Sequence, residues 1–285
     1  MVIEPPPADR VTKDSNGGEA SGHAGVSPPR SIPNLMRMRY TLTRAFTLVE
    51  LVVVMAILGL LMAILLPVLG AAIEEARRIK CLSNLRQMVF AANQYCYNNN
   101  GCYPIAQYTD PKAGLVVAWD FTTSINQSTH QATVTPGLLW QSCNPDAVQQ
   151  CPSYKGPSNS LADPFTGYNY NVSYIGHGQG EAQVAPASMS EVRNPCKCAL
   201  FGDGQYAGGA NKFMRSPFTW AGDTFPNRSA GTLGFRHNGA ANVAFCDGHA
   251  QSFTHIYTQT TPTEEPKIAP KCGFLSADNS LYDPE

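Results

Sequence analysis

The chain has 285 residues, of which 43% are hydrophobic and only 14% charged, and its formal net charge is −1. With so few charges and no basic excess, nothing argues for nucleic acid as a partner. The length suffices for a membrane segment followed by one sizeable soluble domain.

The N-terminal region is predicted to be a leader that spans residues 1–45. Residues 1–35 are rich in Pro, Gly and Ser and hold almost no large apolar side chains, which predicts disorder. Met36 and Met38 follow directly, so these 35 residues are interpreted as a dispensable extension or a start placed too early. Three arginines come next: Arg37, Arg39 and Arg44. They predict a cytoplasmic N-terminus and an exported remainder.

An apolar run covers residues 46–73 and contains one charge, Glu50. The uncharged part from Leu51 to Ile73 would span roughly 35 Å as a helix, enough to cross a bilayer. The run is too long for the apolar core of a cleaved signal peptide, which favours a permanent anchor. A lone carboxylate in lipid is costly without a partner, so Glu50 predicts that this helix meets another chain.

The helical pattern continues through residues 74–97, the predicted exported half of the same helix. Apolar residues recur there at steps of three and four positions: Ile79, Leu82, Leu85, Val89, Ala92 and Cys96. The helix is expected to end near Tyr97, before an Asn-Asn-Asn-Gly sequence. Pro67 is expected to bend it, because proline removes a backbone donor.

Residues 98–257 are predicted to form a β-rich globular domain, and residues 258–285 an irregular tail. The candidate strands are short and bounded by turn residues: 114–121, 168–175, 199–202, 241–246 and 249–256. Residues 138–140 fit either a strand or a helical turn. The predicted fold is α+β: a long N-terminal membrane-spanning helix packed on a small antiparallel sheet with long loops.

Nine cysteines are distributed over the chain, and an exported domain favours disulfides between some of them. Free thiols and zinc are the alternatives. Zinc is disfavoured because no pair of CxxC motifs is present and Cys196-Lys-Cys198 has the wrong spacing. The odd number leaves at least one thiol free or paired between chains.

The segment from Ala45 to Leu51 reads AFTLVEL and resembles the cleavage and methylation motif of type IV prepilins and type II secretion pseudopilins. The resemblance implies that a prepilin peptidase cuts between Ala45 and Phe46 and methylates the new amino group. Family members usually carry Gly where this chain has Ala45. The resemblance also implies that Glu50 meets the N-terminal amine of a neighbouring subunit during assembly.

Other segments resemble a large bacterial subgroup of these proteins that includes relatives of general secretion pathway protein G. Its marker is a His followed after nine residues by Asp-Gly, and here His237 precedes Asp247 and Gly248 at that spacing. Three further segments also resemble the subgroup: CLSNLRQ from Cys81, Cys151-Pro152 and Asp203-Gly204.

The His237 and Asp247 pair also has a simpler interpretation as part of a β-hairpin. Asp247 would be a turn residue bonded to His237, with Gly248 supplying a positive φ. The resemblance implies calcium at Asp247 or Asp203 as an alternative, and no other cofactor is expected. No Ser or Cys nucleophile is recognisable beside a base, so the chain is not expected to be an enzyme.

The resemblance therefore implies a structural subunit of a type II secretion pseudopilus or a type IV pilus-like filament. Its partners would be the prepilin peptidase/N-methyltransferase, other pilin-like subunits and the bacterial inner membrane. The chain would cross that membrane once, with its C-terminal domain outside the cytoplasm. The alternative is an envelope-anchored binding protein or adhesin that uses the same signal without assembling.

Overall fold

The computed structural model describes residues 46–126, 129, 131–141, 148–158, 163–178 and 185–285. The predicted leader, with Ala45, lies outside these residues, as do Cys143 and His130. The chain divides into two units, with the boundary between Val52 and Val53. One long helix and several mainly antiparallel sheets make up the described chain, which confirms the α+β prediction.

The helix α1 spans Leu48–Asn98 and continues through Pro67, whose bend stays a prediction. It ends at Asn98 because the next residues turn the chain back. Asn100 and Gly101 both have positive φ, and the Gly101 N–H donates to the Cys96 carbonyl at 2.8 Å. Glycine and asparagine adopt this left-handed conformation at the lowest cost, so the Asn-rich sequence is a sufficient stop signal.

The first sheet is an antiparallel meander of four strands. They are β1 (Gln107–Asp110), β2 (Leu115–Ala118), β3 (Phe121–Ile125) and β4 (Ala132–Pro136), paired in chain order. The predicted strand 114–121 is thus wrong as a single strand: Trp119 and Asp120 form a bend, and Phe121 starts the next strand. Within the bend, the Asp120 carboxylate accepts from the Phe121 N–H at 2.8 Å, which fixes the reversal.

The second sheet forms the centre of the globular domain. Its strands are β5 (Tyr168–Asn171), β6 (Ala199–Asp203), β7 (Phe213–Met214), β9 (Ala241–Phe245) and β10 (Ala250–Phe253), in the spatial order β10-β9-β6-β5-β7. Only the β5–β7 pair is parallel. A two-stranded sheet joins β8 (Leu233–Gly234) to β11 (Cys272–Gly273).

The predicted strand 168–175 ends early, at Asn171. Its side-chain amide oxygen accepts from the Tyr174 N–H at 3.2 Å and caps a short π-helical turn, Val172–Gly176. Asparagine side chains compete with strand pairing in this way. Residues 138–140, which the sequence left undecided, form a 3-10 turn.

The half of α1 from residue 74 onward shares one apolar core with the second sheet. From α1 this core takes Cys81, Leu85, Met88, Val89, Ala91, Ala92 and Cys96; from the sheets and loops it takes Trp119, Tyr168, Tyr170 and Phe201, among others. The prediction that Ile79 belongs to this stripe is wrong, because its side chain is 58% exposed. Cys81 and Met88 take the inward positions instead, at helical spacing.

A second core lies between β8, β9 and the C-terminal tail. It contains Phe235, Val243, Phe245, Leu275 and Tyr282. The tail therefore buries apolar side chains, and its Tyr282 hydroxyl accepts from the Leu275 N–H at 2.7 Å. Although most of the tail has no regular structure, it is part of the folded domain.

A buried charge network supports the segment between β7 and β8. Arg228 is fully buried and donates from Nη1 to Asp223 Oδ2 at 2.8 Å. Its Nη2 donates to the Ser173 hydroxyl at 2.7 Å, and its Nε to the Ser216 carbonyl at 2.9 Å. One side chain thereby connects a 3-10 turn to three separate positions in the chain.

The eight described cysteines are all free thiols, so the expectation of disulfides is wrong for them. Five of them belong to the core around α1: Cys81, Cys96, Cys151, Cys198 and Cys246. Reduced cysteine packs as a small apolar side chain, which explains this placement.

Candidate functional site

The first candidate site is the exposed segment at the start of α1, where the predicted processing residue Phe46 is 72% exposed. Thr47 and Glu50 form a reciprocal pair there. The Glu50 carboxylate accepts from the Thr47 N–H at 2.9 Å and from its hydroxyl at 2.7 Å, while the Glu50 N–H donates to Thr47 Oγ1 at 3.2 Å. This is a capping box, which the sequence TLVE signals.

The apolar half of α1 is exposed along its whole length. Its large apolar side chains between Leu48 and Ile73 are 44% to 78% exposed. By length and composition this helix can cross a membrane. Such an apolar surface requires lipid or other protein chains around it.

The second candidate site lies in the interior of the second unit, where four side chains from distant parts of the chain meet. Cys81 comes from α1, Cys151 from the segment before β5, Asp203 from the end of β6 and His237 from the turn before β9. All four are buried, and their potential ligand atoms lie within 4.8 Å of one another. These residues are called the four-residue cluster below.

His237 stands at the centre of the four-residue cluster. Its Nε2 lies 3.2 Å from Asp203 Oδ2 and 3.7 Å from Cys151 Sγ. Its Nδ1 lies 2.9 Å from Oε1 of Glu74, which belongs to α1. Both ring nitrogens therefore have polar partners, although the residue is only 1% exposed.

The predicted hydrogen bond between His237 and Asp247 is wrong. Asp247 is exposed in the turn between β9 and β10, where its carboxylate accepts from the N–H and Nδ1 of His249 at 3.0 and 2.6 Å. His237 instead lies in a separate turn on the other side of β9 and faces the interior. The expected positive φ of Gly248 is confirmed, at +94°.

The Asp203 carboxylate is held from several directions. The Cys81 thiol and Arg236 Nη2 donate to its Oδ1, each at 3.0 Å, and the Asn242 N–H donates to its Oδ2 at 2.7 Å. Arg236 Nε also donates to Cys151 Sγ at 3.2 Å. Burial opposes ionisation of Asp203, but the charges of Arg236 and His237 hold the pKa of this carboxyl below its usual range.

The same neighbours shift the pKa values of the two thiols of the four-residue cluster in opposite directions. Burial raises the pKa of Cys81 well above its ordinary value, and the nearby Cys151 raises it further. Burial also opposes charge on Cys151, but hydrogen bonding from Cys81 and the Arg236 charge lower its pKa to about 5. Burial alone would lower the pKa of His237, yet its bonds to Asp203 and Cys151 raise it to about 10.

Cys151 lies beside His237, although no cysteine next to a base is recognisable in the sequence. The two are 86 residues apart in the chain, so no local spacing announces the pair. Cys151 is fully buried and therefore out of reach of a substrate, whereas reactive cysteines are at least partly exposed. All four residues lie in segments that resemble the bacterial subgroup, but these segments are far apart in the sequence and nothing in it indicates that they meet.

The globular domain also contains a cleft of about 350 Å³. Tyr174 and Trp220 stack in its wall with ring centroids 4.8 Å apart and planes within 2°. His177 also lines it, in a left-handed conformation at φ 43°, and is 1% exposed. Burial lowers the pKa of His177, since the charged ring would lose its hydration.

His177 should make stability fall at mildly acid pH. Its folded pKa is below the unfolded value of about 6.5, so the unfolded chain binds more protons once the pH drops under that value. The contribution is complete above about pH 6.5 and is lost as the pH falls toward the folded pKa. His177→Asn tolerates the left-handed backbone but does not titrate, so its denaturant-unfolding free energy should depend less on pH between 7 and 5. The exposed His255→Asn is the control, and parallel curves for wild type and His177→Asn would contradict the expectation.

Comparison with known proteins finds one match. Residues 42–66 match the family model described as the prokaryotic N-terminal methylation motif. No curated protein and no solved structure matches the chain. The matched segment contains Phe46, Glu50 and most of the exposed apolar half of α1, and it supports a pilin-like subunit.

Proposed function

We propose that the chain is a structural subunit of a pseudopilus or type IV pilus-like filament, cut between Ala45 and Phe46 and methylated at Phe46. The observation that carries this proposal is the methylation motif at residues 42–66, placed at the start of one exposed apolar helix. Prepilin peptidase would be the processing partner, and other pilin-like subunits would be the assembly partners. The bacterial inner membrane holds the subunit before assembly.

The two halves of α1 support this role in different ways. The apolar half from Leu48 to Ile73 has no cover within the described chain, so lipid would cover it before assembly and neighbouring helices afterwards. The half from residue 74 onward places its inner face in the globular core. The apolar half of α1 would then hold the filament together, and the globular domain attached to the other half would lie on the filament surface.

Mass spectrometry of the intact protein from the cell envelope tests the proposal. The mature chain is expected to begin at N-methylated Phe46, because the peptidase would remove everything before it. A strain without the peptidase should yield the uncut chain, and Ala45→Gly, which introduces the usual family residue, should be cut at least as completely as wild type. An envelope protein that keeps residues before Phe46 would overturn the proposal.

The cleft beside Tyr174 and Trp220 favours a second candidate function, ligand binding by an envelope-anchored protein. Its volume of about 350 Å³ and its stacked aromatic wall suit a small organic ligand. Filaments that contain this chain would favour the structural role. A ligand bound in the cleft by a protein that never enters filaments would favour the second.

A further inference from the structure

We propose that the four-residue cluster of Cys81, Cys151, Asp203 and His237 binds one structural Zn²⁺ ion. Two sulfurs, one imidazole nitrogen and one carboxylate oxygen converge within 4.8 Å of one another in a fully buried location. No such site is part of the proposed filament role, and the inference does not depend on that role.

The dimensions of the four-residue cluster fit a tetrahedral zinc ion. Zinc–ligand lengths of about 2.0–2.3 Å in a tetrahedron place ligand atoms about 3.3–3.8 Å apart. The observed separations are 3.7 Å between Cys151 Sγ and His237 Nε2, 3.2 Å between that nitrogen and Asp203 Oδ2, and 3.0 Å between Cys81 Sγ and Asp203 Oδ1. An ion therefore fits between these atoms with small side-chain adjustments.

The chemistry of the ligands selects zinc over the calcium that the resemblance implied for Asp203. Calcium takes six to eight oxygen ligands, whereas the neighbours of Asp203 are two sulfurs and an imidazole. Thiolate and imidazole together are typical of zinc sites. Two thiolates and one carboxylate carry three negative charges, which Zn²⁺ and the adjacent Arg236 would balance.

The surrounding residues orient the ligands as they do in known zinc sites. The Nδ1 of His237 is 2.9 Å from the Glu74 carboxylate, which leaves Nε2 facing the cluster. Such a carboxylate–histidine pair fixes the ring and increases its strength as a ligand. The Asn242 N–H and Arg236 hold the Asp203 carboxylate in place from outside. A catalytic zinc keeps an open position, but four buried protein ligands leave none, so the site is structural.

The ion would fasten α1 to the globular domain. Cys81 lies on the helix, and the other three ligands come from a loop, a strand end and a turn 70 to 156 residues later. Closing such long loops is entropically costly, and a metal that binds only the folded arrangement offsets this cost. Removing the ion should therefore loosen the contact between α1 and the second sheet.

The test uses the full-length protein, purified in detergent and treated with a chelator, then with zinc alone. Elemental analysis should find about one zinc per chain, and X-ray absorption should show two sulfur neighbours at about 2.3 Å with nitrogen or oxygen at about 2.0 Å. A chain that takes up no zinc, or whose zinc has only oxygen and nitrogen neighbours, would overturn the proposal. This result needs no variant and is therefore independent of any folding defect.

Matched variants locate the ion. Cys81→Ser and His237→Gln should lose at least half of the bound zinc, whereas Cys96→Ser, which changes another buried cysteine of α1, should keep it. Circular dichroism of each variant checks that the domain is folded. Equal zinc in folded Cys81→Ser and Cys96→Ser proteins would show that the ion lies elsewhere.

Discussion

Glu50→Gln should leave the protein in the membrane but reduce its entry into filaments more than about tenfold. Loss of one partner of a buried charge pair costs about 3–5 kcal/mol, and about 1.4 kcal/mol already corresponds to a factor of ten. Glutamine preserves the size of Glu50 and can still complete the capping box with Thr47, so only the charge is removed. The measurement is the ratio of sheared filament protein to membrane protein, by immunoblot.

Thr47→Ala is the matched control for this experiment. It removes the hydroxyl that bonds Glu50 and weakens the helix start by about 0.5–2 kcal/mol, but it leaves the carboxylate available to a neighbouring subunit. The Thr47 variant should therefore assemble far better than Glu50→Gln. The reverse order would show that Glu50 acts through the cap and not through assembly.

Arg228→Met should lower the free energy of unfolding of the globular domain by about 3–5 kcal/mol. Methionine fills much of the same space but donates no hydrogen bond. The Asp223 carboxylate would lose its contacts with the guanidinium, and the buried Ser216 carbonyl would lose the Nε donor. Denaturant unfolding of the full chain, followed by tryptophan fluorescence, measures the change.

The control for this substitution is Arg193→Met, at an exposed position. It makes the same chemical change on the surface and should alter stability by less than about 0.5 kcal/mol. If Arg228→Met were as mild as Arg193→Met, the buried network would not be a major source of stability.

The helix and its boundaries were the most predictable part of the fold. A long uncharged run, an apolar repeat and an Asn-rich stop each act locally, and α1 runs from Leu48 to Asn98 as these signals indicate. The buried face of α1 was less predictable, because an apolar repeat does not show which residues at the edges of that face are covered by the domain. Ile79 at one edge is exposed, whereas Cys81 is buried.

The four-residue cluster could not be predicted, because it depends on the tertiary arrangement. Zinc sites are recognisable in sequence when two ligands share a short loop, but here each ligand comes from a different element. His237 illustrates the difficulty. Its spacing to Asp247 suggests a pair, yet the turn at residues 237–240 directs it inward to partners from α1 and β6.

The inner face of α1 is buried by residues that come much later in the chain. Cys81 bonds to Asp203, 122 residues later, and Arg86 donates to the Ala250 carbonyl, 164 residues later. If the domain is exported as proposed, in sequence order, this face emerges early and stays exposed to water until most of the domain has passed the membrane. Folding then has to wait for the end of translocation, so chains stalled before Ala250 should be degraded by envelope proteases and not stored for assembly.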